Sequence, residues 1–247
     1  MMIDIRHGDC LHLMYDIPFN SVDMILCDLP YGTTQNKWDA ILPFTLLWRH
    51  YDRLIKDNRA IVLTATEPFA SALVMSNPEA FRYSWVWIKS KTVNALNAQK
   101  MPMRKHEIVL VFSNGSLPNY YPQDLIPFNK IVPSSCPSSN YGKVRGGKYY
   151  QEYTNYPHDV LEFDSPGDTQ HPTQKPVALF EYLIKTYTNE GDLVLDNCAG
   201  SGTTGVACEN LNRECILIEK EEKYIKIIES RCNRSPEERR LDMLRKL

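Results

Sequence analysis

Residues 22–32 read VDMILCDLPYG, Val22 to Gly32, and the fold turns on how that stretch is read. Val22, Met24, Ile25 and Leu26 make a short apolar run, the pattern of a buried strand. It is halted by Asp28-Leu29-Pro30-Tyr31-Gly32, where the proline removes a backbone donor and the glycine allows a turn. A carboxylate, carbonyls left out of any ladder and an aromatic ring are thereby set at the C-terminal end of a strand, where open α/β sheets bind ligands. Such a corner suits a flat ring bearing an amine: Asp28 accepts hydrogen bonds from the amine while Tyr31 stacks on the ring. An ordinary turn of the same composition is the alternative that this stretch alone leaves open.

Outward from the corner, composition narrows the classes. Of 247 residues, 43% are hydrophobic and 23% charged, ordinary for a soluble globular protein, and the length fits one large α/β domain or two small ones. No apolar run approaches the roughly 18 residues that cross a bilayer, and the start lacks a basic-then-apolar signal pattern, so a cytoplasmic protein is expected. Seven cysteines, at 10, 27, 136, 198, 208, 215 and 232, include no Cys-x-x-Cys pair and no zinc spacing with the histidines. Reduced, mostly buried thiols are expected, with neither metal nor disulfide framework. Charge is uneven: residues 81–150 carry ten Lys or Arg against two acids and residues 151–247 twelve against eighteen, although the whole chain is only −2. A face for a polyanion such as nucleic acid explains the split; a solvated basic loop explains it equally well.

Along the chain, short strands are expected at Met2 to Arg6, Val22 to Cys27, Ala60 to Thr64, Tyr83 to Lys89, Glu107 to Ser113, Asp192 to Asp196 and Glu214 to Glu219. Helical spacing marks Pro43 to Lys56, Pro68 to Met75, a segment opening at Pro176, Thr203 to Leu211 and Glu222 to Cys232, with a charged amphipathic helix at Ser235 to Leu247. Strand, turn, helix, strand, helix near the C-terminus is a βαβ pattern, hence a parallel sheet with right-handed crossovers. Ser90 to His106 reads as a basic loop. Residues 114–170 hold seven prolines and seven tyrosines and keep no period for long, so an irregular functional insertion is expected there.

A second signature, Asp196-Asn197-Cys198-Ala199-Gly200-Ser201-Gly202-Thr203-Thr204, follows one of those strands and opens a helix. Its small residues let a ligand approach the backbone beside the free N–H groups of a helix start. Gly200, Gly202 and Gly205 formally match a dinucleotide fingerprint, which keeps a nicotinamide enzyme open. Glu219, ending the next strand, is placed to accept from ribose hydroxyls or to serve as a helix-start acid.

Taken together, the Asp28 to Tyr31 corner, His171-Pro172-Thr173-Gln174-Lys175-Pro176 and the Asp196 to Thr204 loop resemble the S-adenosylmethionine-dependent DNA amino-methyltransferases. The order, with the catalytic corner before the cofactor loop, resembles their β class. The resemblance implies a single domain over residues 1–247 with an α/β, doubly wound, mostly parallel seven-stranded sheet, six strands parallel and one reversed. It makes residues 114–170 the target-recognition region. It implies S-adenosylmethionine as cofactor and double-stranded DNA as partner, with no metal and no membrane, and a homodimer stays open. Asp28, Leu29, Pro30 and Tyr31 would be catalytic. Asp9 and Cys10 would hold the cofactor's adenine, and Glu219 its ribose. His171, Thr173 and Lys175 would meet its methionine end, with Lys175 neutralising its carboxylate. The loop with Asp196, Ala199, Gly200, Ser201, Gly202, Thr203 and Thr204 would wrap the rest.

The activity implied is methyl transfer to the N6 amine of a flipped adenine, since an aspartate heads the corner where cytosine-N4 enzymes of the family usually have serine. A cytosine-N4 enzyme and a DNA-binding relative without turnover are the alternatives. Leu29 departs from the family's usual proline, restoring an N–H and freeing φ. Arg82, Lys89, Arg104, Lys105, Lys143, Arg145 and Lys148 are the candidates for DNA contact, and His106-Glu107, ahead of a strand, is expected in a supporting rather than a chemical role.

Overall fold

In the computed structural model, residues 2–34, 36, 39–133, 147–167, 171 and 173–232 are described. The helix expected at Ser235 to Leu247 lies outside them, as do Lys143, Arg145 and Cys136. Contacts divide the described chain into a large unit, 1–121 with 159–247, and a small one, 122–158.

The large unit is built on one sheet. Its strands are β1 (Ile3–His7), β2 (Val22–Cys27), β3 (Ile55–Ala65), β4 (Phe81–Val93), β5 (Arg104–Phe112), β8 (Val160–Phe163), β9 (Leu193–Asp196) and β10 (Glu214–Glu219). They lie in the order β1-β10-β9-β2-β3-β5-β4-β8. Only β5 runs antiparallel to its neighbours, so seven strands share a direction and one is reversed. The doubly wound, mostly parallel class is as expected, but the sheet has eight strands where seven were expected. The additional strand, β8, pairs in parallel with β4 and comes from the stretch expected to be irregular. Its four residues, VLEF, are too few to display a period among prolines and tyrosines.

β2 is buried along its whole length, as a strand covered on both faces must be. Its side chains alternate between two cores. Ile25 and Cys27 pack with α1 (Cys10–Leu13), α2 (Phe44–Leu54) and α3 (Phe69–Ser76). Met24 and Leu26 face α4 (Val177–Tyr187), α5 (Thr203–Asn210) and α6 (Glu222–Cys232). β2 pairs with β3 on one side and β9 on the other. From β2 the chain proceeds through α2 to β3, and from β9 through α5 to β10, so it departs in opposite directions from the β2/β9 boundary. That boundary is the switch point at which doubly wound sheets open a crevice.

The small unit holds an antiparallel pair, β6 (Ile126–Pro133) and β7 (Lys148–Thr154). The stretch 114–170, expected to be irregular, therefore contains a hairpin-like pair and an edge strand. Exposed Ile126, Ile131, Tyr149 and Tyr150 lie on the pair, and the Tyr150 hydroxyl donates to Asn129 at 2.9 Å. The basic Ser90 to His106, expected as a loop, instead finishes β4, makes a short turn of helix at Ala95–Asn97 and begins β5.

Candidate active site

The C-terminal ends of β1, β2, β9 and β10 surround one cavity of about 590 Å³. All four expected catalytic residues, Asp28, Leu29, Pro30 and Tyr31, line it. So do eleven of the thirteen expected cofactor residues: Asp9, Cys10, His171, Thr173, Lys175, Asp196, Ala199, Gly200, Ser201, Thr203 and Glu219. Gly202 and Thr204 are not brought to it. Gly202, at φ +77°, backs onto Ile228 and Cys232, where a Cβ would come within 3.1 Å of Ile228. Thr204 is fully buried and donates to Asp196.

Asp28 stands at the end of β2 with three donors on its carboxylate. Tyr31 Oη donates to Oδ1 at 2.7 Å, Thr64 Oγ1 donates to the same oxygen, and Lys175 Nζ donates to Oδ2 at 2.6 Å. The Tyr31 ring packs on Phe69 with centroids 5.2 Å apart, and its hydroxyl also reaches Thr64 at 3.0 Å. Burial, then the charges of Asp28 and Glu107, push the Tyr31 hydroxyl well above its usual pKa, so it remains a donor. Leu29 is 4% exposed, its side chain joining the core beneath the corner. The residue that departs from the family's proline is thus held by packing rather than by a ring.

The turn after the corner is tied by Asp39, a residue the sequence did not single out. Its carboxylate accepts from the backbone N–H groups of Gly32, Thr33 and Thr34 at 2.8, 2.9 and 2.6 Å. Burial works against ionisation of Asp39, but those bonds outweigh it and hold its pKa below the ordinary carboxylate value. Gly32, at φ +68°, has Ile41 against it, where a Cβ would come within 2.9 Å.

Lys175 lines the cavity as expected, and its ammonium lies 2.6 Å from Asp28 and 3.4 Å from Glu107 Oε2. Burial alone would lower its pKa; Asp28 and Glu107 outweigh that and hold it above the lysine value. Glu107, on β5, also pairs through Oε1 with Lys89. Lys89 is therefore spent inside the protein, and so is Arg82, whose guanidinium donates to the carbonyls of Glu79, Ser113 and Gly115. Sequence reasoning missed Thr64; Glu107, expected only in a supporting role, is the sole acid in residues 81–123.

At the other end of the cavity the loop after β9 is self-braced. Asp196, 3% exposed, accepts from Cys198 N at 3.0 Å and from Thr204 Oγ1. Burial raises its pKa to about 6 against those two bonds. Tyr51 of α2 donates to Asn197 Oδ1 at 2.7 Å, pinning the loop from below. Gly200 turns at φ +53° and donates its N–H to Glu219 Oε2 at 2.8 Å, while Glu219 Oε1 accepts from Glu221 N at 2.8 Å. Burial raises the Glu219 pKa against the backbone bonds from Glu221, Gly200 and Lys220. Asp9 caps α1 by accepting from Leu11 N at 3.0 Å, with Lys220 Nζ 3.5 Å from its other oxygen. His171 lies on Tyr224 with centroids 4.3 Å apart, and burial lowers its pKa to about 4, so it is neutral near pH 7.

Chemically, the crevice offers acids at the β1 and β10 ends (Asp9, Glu219, Glu221), small residues at Ala199 to Ser201 and a carboxylate at β2. That donor set fits a ligand with hydroxyls and an amine at one end and a reacting group directed at Asp28. Residues 22–230 match the family described as DNA methylase, the N6/N4 methyltransferases. The chain belongs to that family. As a DNA methylase it uses S-adenosylmethionine, and the nicotinamide reading is set aside. Similar proteins include the Type II methyltransferase M.HpaI of Haemophilus parainfluenzae, 28% identical over 91% of this chain and 72% of its own length. The DNA adenine methyltransferase YhdJ of Escherichia coli is 29% identical over 90% of this chain and 80% of its own. Among solved structures, the M1.HpyAVI–SAM complex is 27% identical with a TM-score of 0.65, covering 94% of this chain and 100% of that one.

Proposed function

We propose that this DNA methylase transfers a methyl group to the N6 amine of an adenine flipped out of duplex DNA, with Asp28 and the carbonyl of Leu29 receiving that amine. The observation that carries the reading is Asp28 at the end of β2, in the same cavity as the Ala199 to Ser201 turn. S-adenosylmethionine supplies, when bound, the electrophilic methyl group on its sulfonium. Asp9, Cys10 and Glu219 would hold its nucleoside, and Ala199 to Ser201, with His171 and Thr173, its amino-acid end. Asp196, Gly202 and Thr204 shape that turn from behind.

An adenine amine is a poor nucleophile because its lone pair is spread into the ring. Accepting both of its N–H bonds favours a tetrahedral nitrogen whose lone pair points away from the ring, so catalysis is placement and electrostatics. The Asp28 carboxylate stabilises the cationic nitrogen formed, which then releases its proton to solvent, and no cysteine is needed as a nucleophile. Tyr31 fixes Asp28 through its hydroxyl while offering a ring wall to the base. Flipping costs a few kcal/mol, which stacking of roughly 1 to 3 kcal/mol per base partly returns.

Adenine is favoured over cytosine by the aspartate heading the corner, and the name of YhdJ supports it. For DNA contact we assign Lys91 and Arg104, which reach the cavity, and the turn between β4 and β5, where Leu96 is fully exposed and Met101 and Met103 are half exposed. Cations there meet phosphates, and an apolar tip suits the space that a flipped base vacates. The unit 122–158, with its exposed tyrosines, we read as the target-recognition region. A cytoplasmic location accords with the absence, among the described residues, of a helix long and apolar enough to cross a membrane. Single-molecule sequencing of DNA from cells expressing the chain tests the reading. N6-methyladenine in one recurring sequence is expected, and N4-methylcytosine or unmodified DNA would overturn it.

A further inference from the structure

Behind the catalytic carboxylate lies a row of buried charges that methyl transfer itself does not require. Lys175 Nζ is 2.6 Å from Asp28 Oδ2 and 3.4 Å from Glu107 Oε2, while Glu107 Oε1 is taken by Lys89. The Lys175 side chain is 6% exposed and that of Glu107 9%. Glu107 Oε2 is buried with Lys175 Nζ as its ion-pair partner, at 3.4 Å longer than the ordinary bonding distance.

The arrangement also poses an electrostatic conflict. With the Tyr31 and Thr64 hydroxyls on Oδ1, Oδ2 is the oxygen less occupied by neutral donors, and the Lys175 ammonium sits on it. On the reading that Asp28 receives the target amine, that nitrogen becomes cationic as it is alkylated. Two cations would then crowd one carboxylate. Lys175 needs to move by under about 1 Å to pair with Glu107 Oε2 at ordinary length, which relieves the crowding.

We propose that Lys175 and Glu107 are positioning residues for methyl transfer: Lys175 holds Asp28 in place while the target amine is absent, and Glu107 Oε2 receives Lys175 when the amine arrives. Lys89 keeps Glu107 in reach, resting 5.2 Å over the Trp87 ring. No bond is made or broken by either residue. The proposal rests on the assignment of Asp28 above.

The test uses the full chain, labelled S-adenosylmethionine and duplex DNA from cells lacking adenine methylation, with calorimetry for cofactor affinity. Glu107→Gln strands Lys175 on Asp28, so kcat is expected to fall tenfold or more. KM for DNA and cofactor Kd should stay within about threefold of the parent. Because Glu107 acts through Lys175, the double variant Glu107→Gln with Lys175→Met should be no slower than Lys175→Met alone. Multiplied losses in the double variant, or a Glu107→Gln enzyme with parental kcat, would overturn the proposal. Should Glu107→Gln not fold, Glu107→Asp keeps the charge but withdraws the oxygen from Lys175; the same fall in kcat at unchanged cofactor affinity supports the proposal and parental kcat rejects it. Asp28→Ala run alongside separates the two claims. If it remains active, the assignment of Asp28 fails; if it is inactive while Glu107→Gln is parental, only the role of Glu107 fails.

Discussion

Asp28 and Asp196 end neighbouring strands, β2 and β9, and border the same cavity, yet they are built for opposite work. Asp196 is buried and bonded within its own loop, to the N–H two residues on and the hydroxyl eight residues on, and burial raises its pKa to about 6. Asp28 keeps 21% of its side chain exposed, and apart from Tyr31 its partners come from far along the chain, Thr64 on β3 and Lys175 ahead of α4. A carboxylate that shapes a turn can be satisfied locally. One that must accept an incoming amine is held by side chains from other elements, so that an oxygen can be released without unfolding its own loop.

The contrast is broken most sharply at Asp28. Asp28→Ala should reduce methyl transfer at least about a hundredfold while leaving cofactor Kd within about threefold, because a preorganised group at the reacting centre is lost and the cofactor loop is untouched. Turnover at the parental rate would erase the distinction. Asp196→Ala should do the reverse in kind. The loop loses the acceptor for Thr204 and Cys198, so stability should fall by about 1–3 kcal/mol in a denaturant melt, and cofactor affinity should weaken with it. Parental stability would show that the loop does not depend on its aspartate.

Tyr31→Phe sharpens the comparison at lower amplitude. The ring and its packing on Phe69 remain while one donor to Asp28 is removed, so kcat should drop about tenfold with little change in melting temperature. A large loss of stability instead would make the tyrosine a packing residue.

The smallest effects concern pH. For Asp196 the folded pKa lies above the unfolded one, so the folded state binds more protons between about pH 4 and 6, and stability falls as pH rises through that window. His171 is the opposite case: its folded pKa of about 4 lies below the ordinary 6.5, the unfolded state binds more protons between them, and stability rises with pH. Relative to the parent, His171→Asn should therefore gain about 1–2 kcal/mol as pH is lowered from 7 to 5, read from paired melts. Asp196→Asn should lose ground over the same descent. Parallel curves for all three proteins would contradict both assignments.

The legible and illegible parts of the molecule follow the same division. β2, β9, α5 and the corner at Asp28 announce themselves because a buried strand, a helix stripe and a turn are all written in consecutive residues. The local bonds of Asp196 belong to that class. The motif that carries Lys175 is local, whereas the pairing of Lys175 with Asp28 spans 147 residues and no local pattern displays it. Thr64 was passed over as the end of an apolar strand, and the partners of Glu107 were not legible, since only the sheet order that places β3 beside both β2 and β5 brings these residues near the corner. Residues 114–170 were misjudged for another reason: β6 and β7 carry mostly exposed side chains and no buried face, so no alternation marks them as strands.

The account stands on Asp28 as the acceptor for an adenine amine, and the most direct measurement follows the methyl group itself. Duplex DNA incubated with S-adenosylmethionine labelled in its methyl group and either the parent enzyme or Asp28→Ala is hydrolysed to nucleosides and separated. Label in N6-methyladenine from the parent and none from the variant is the expected result. Label in another nucleoside, or equal label from both proteins, would contradict it.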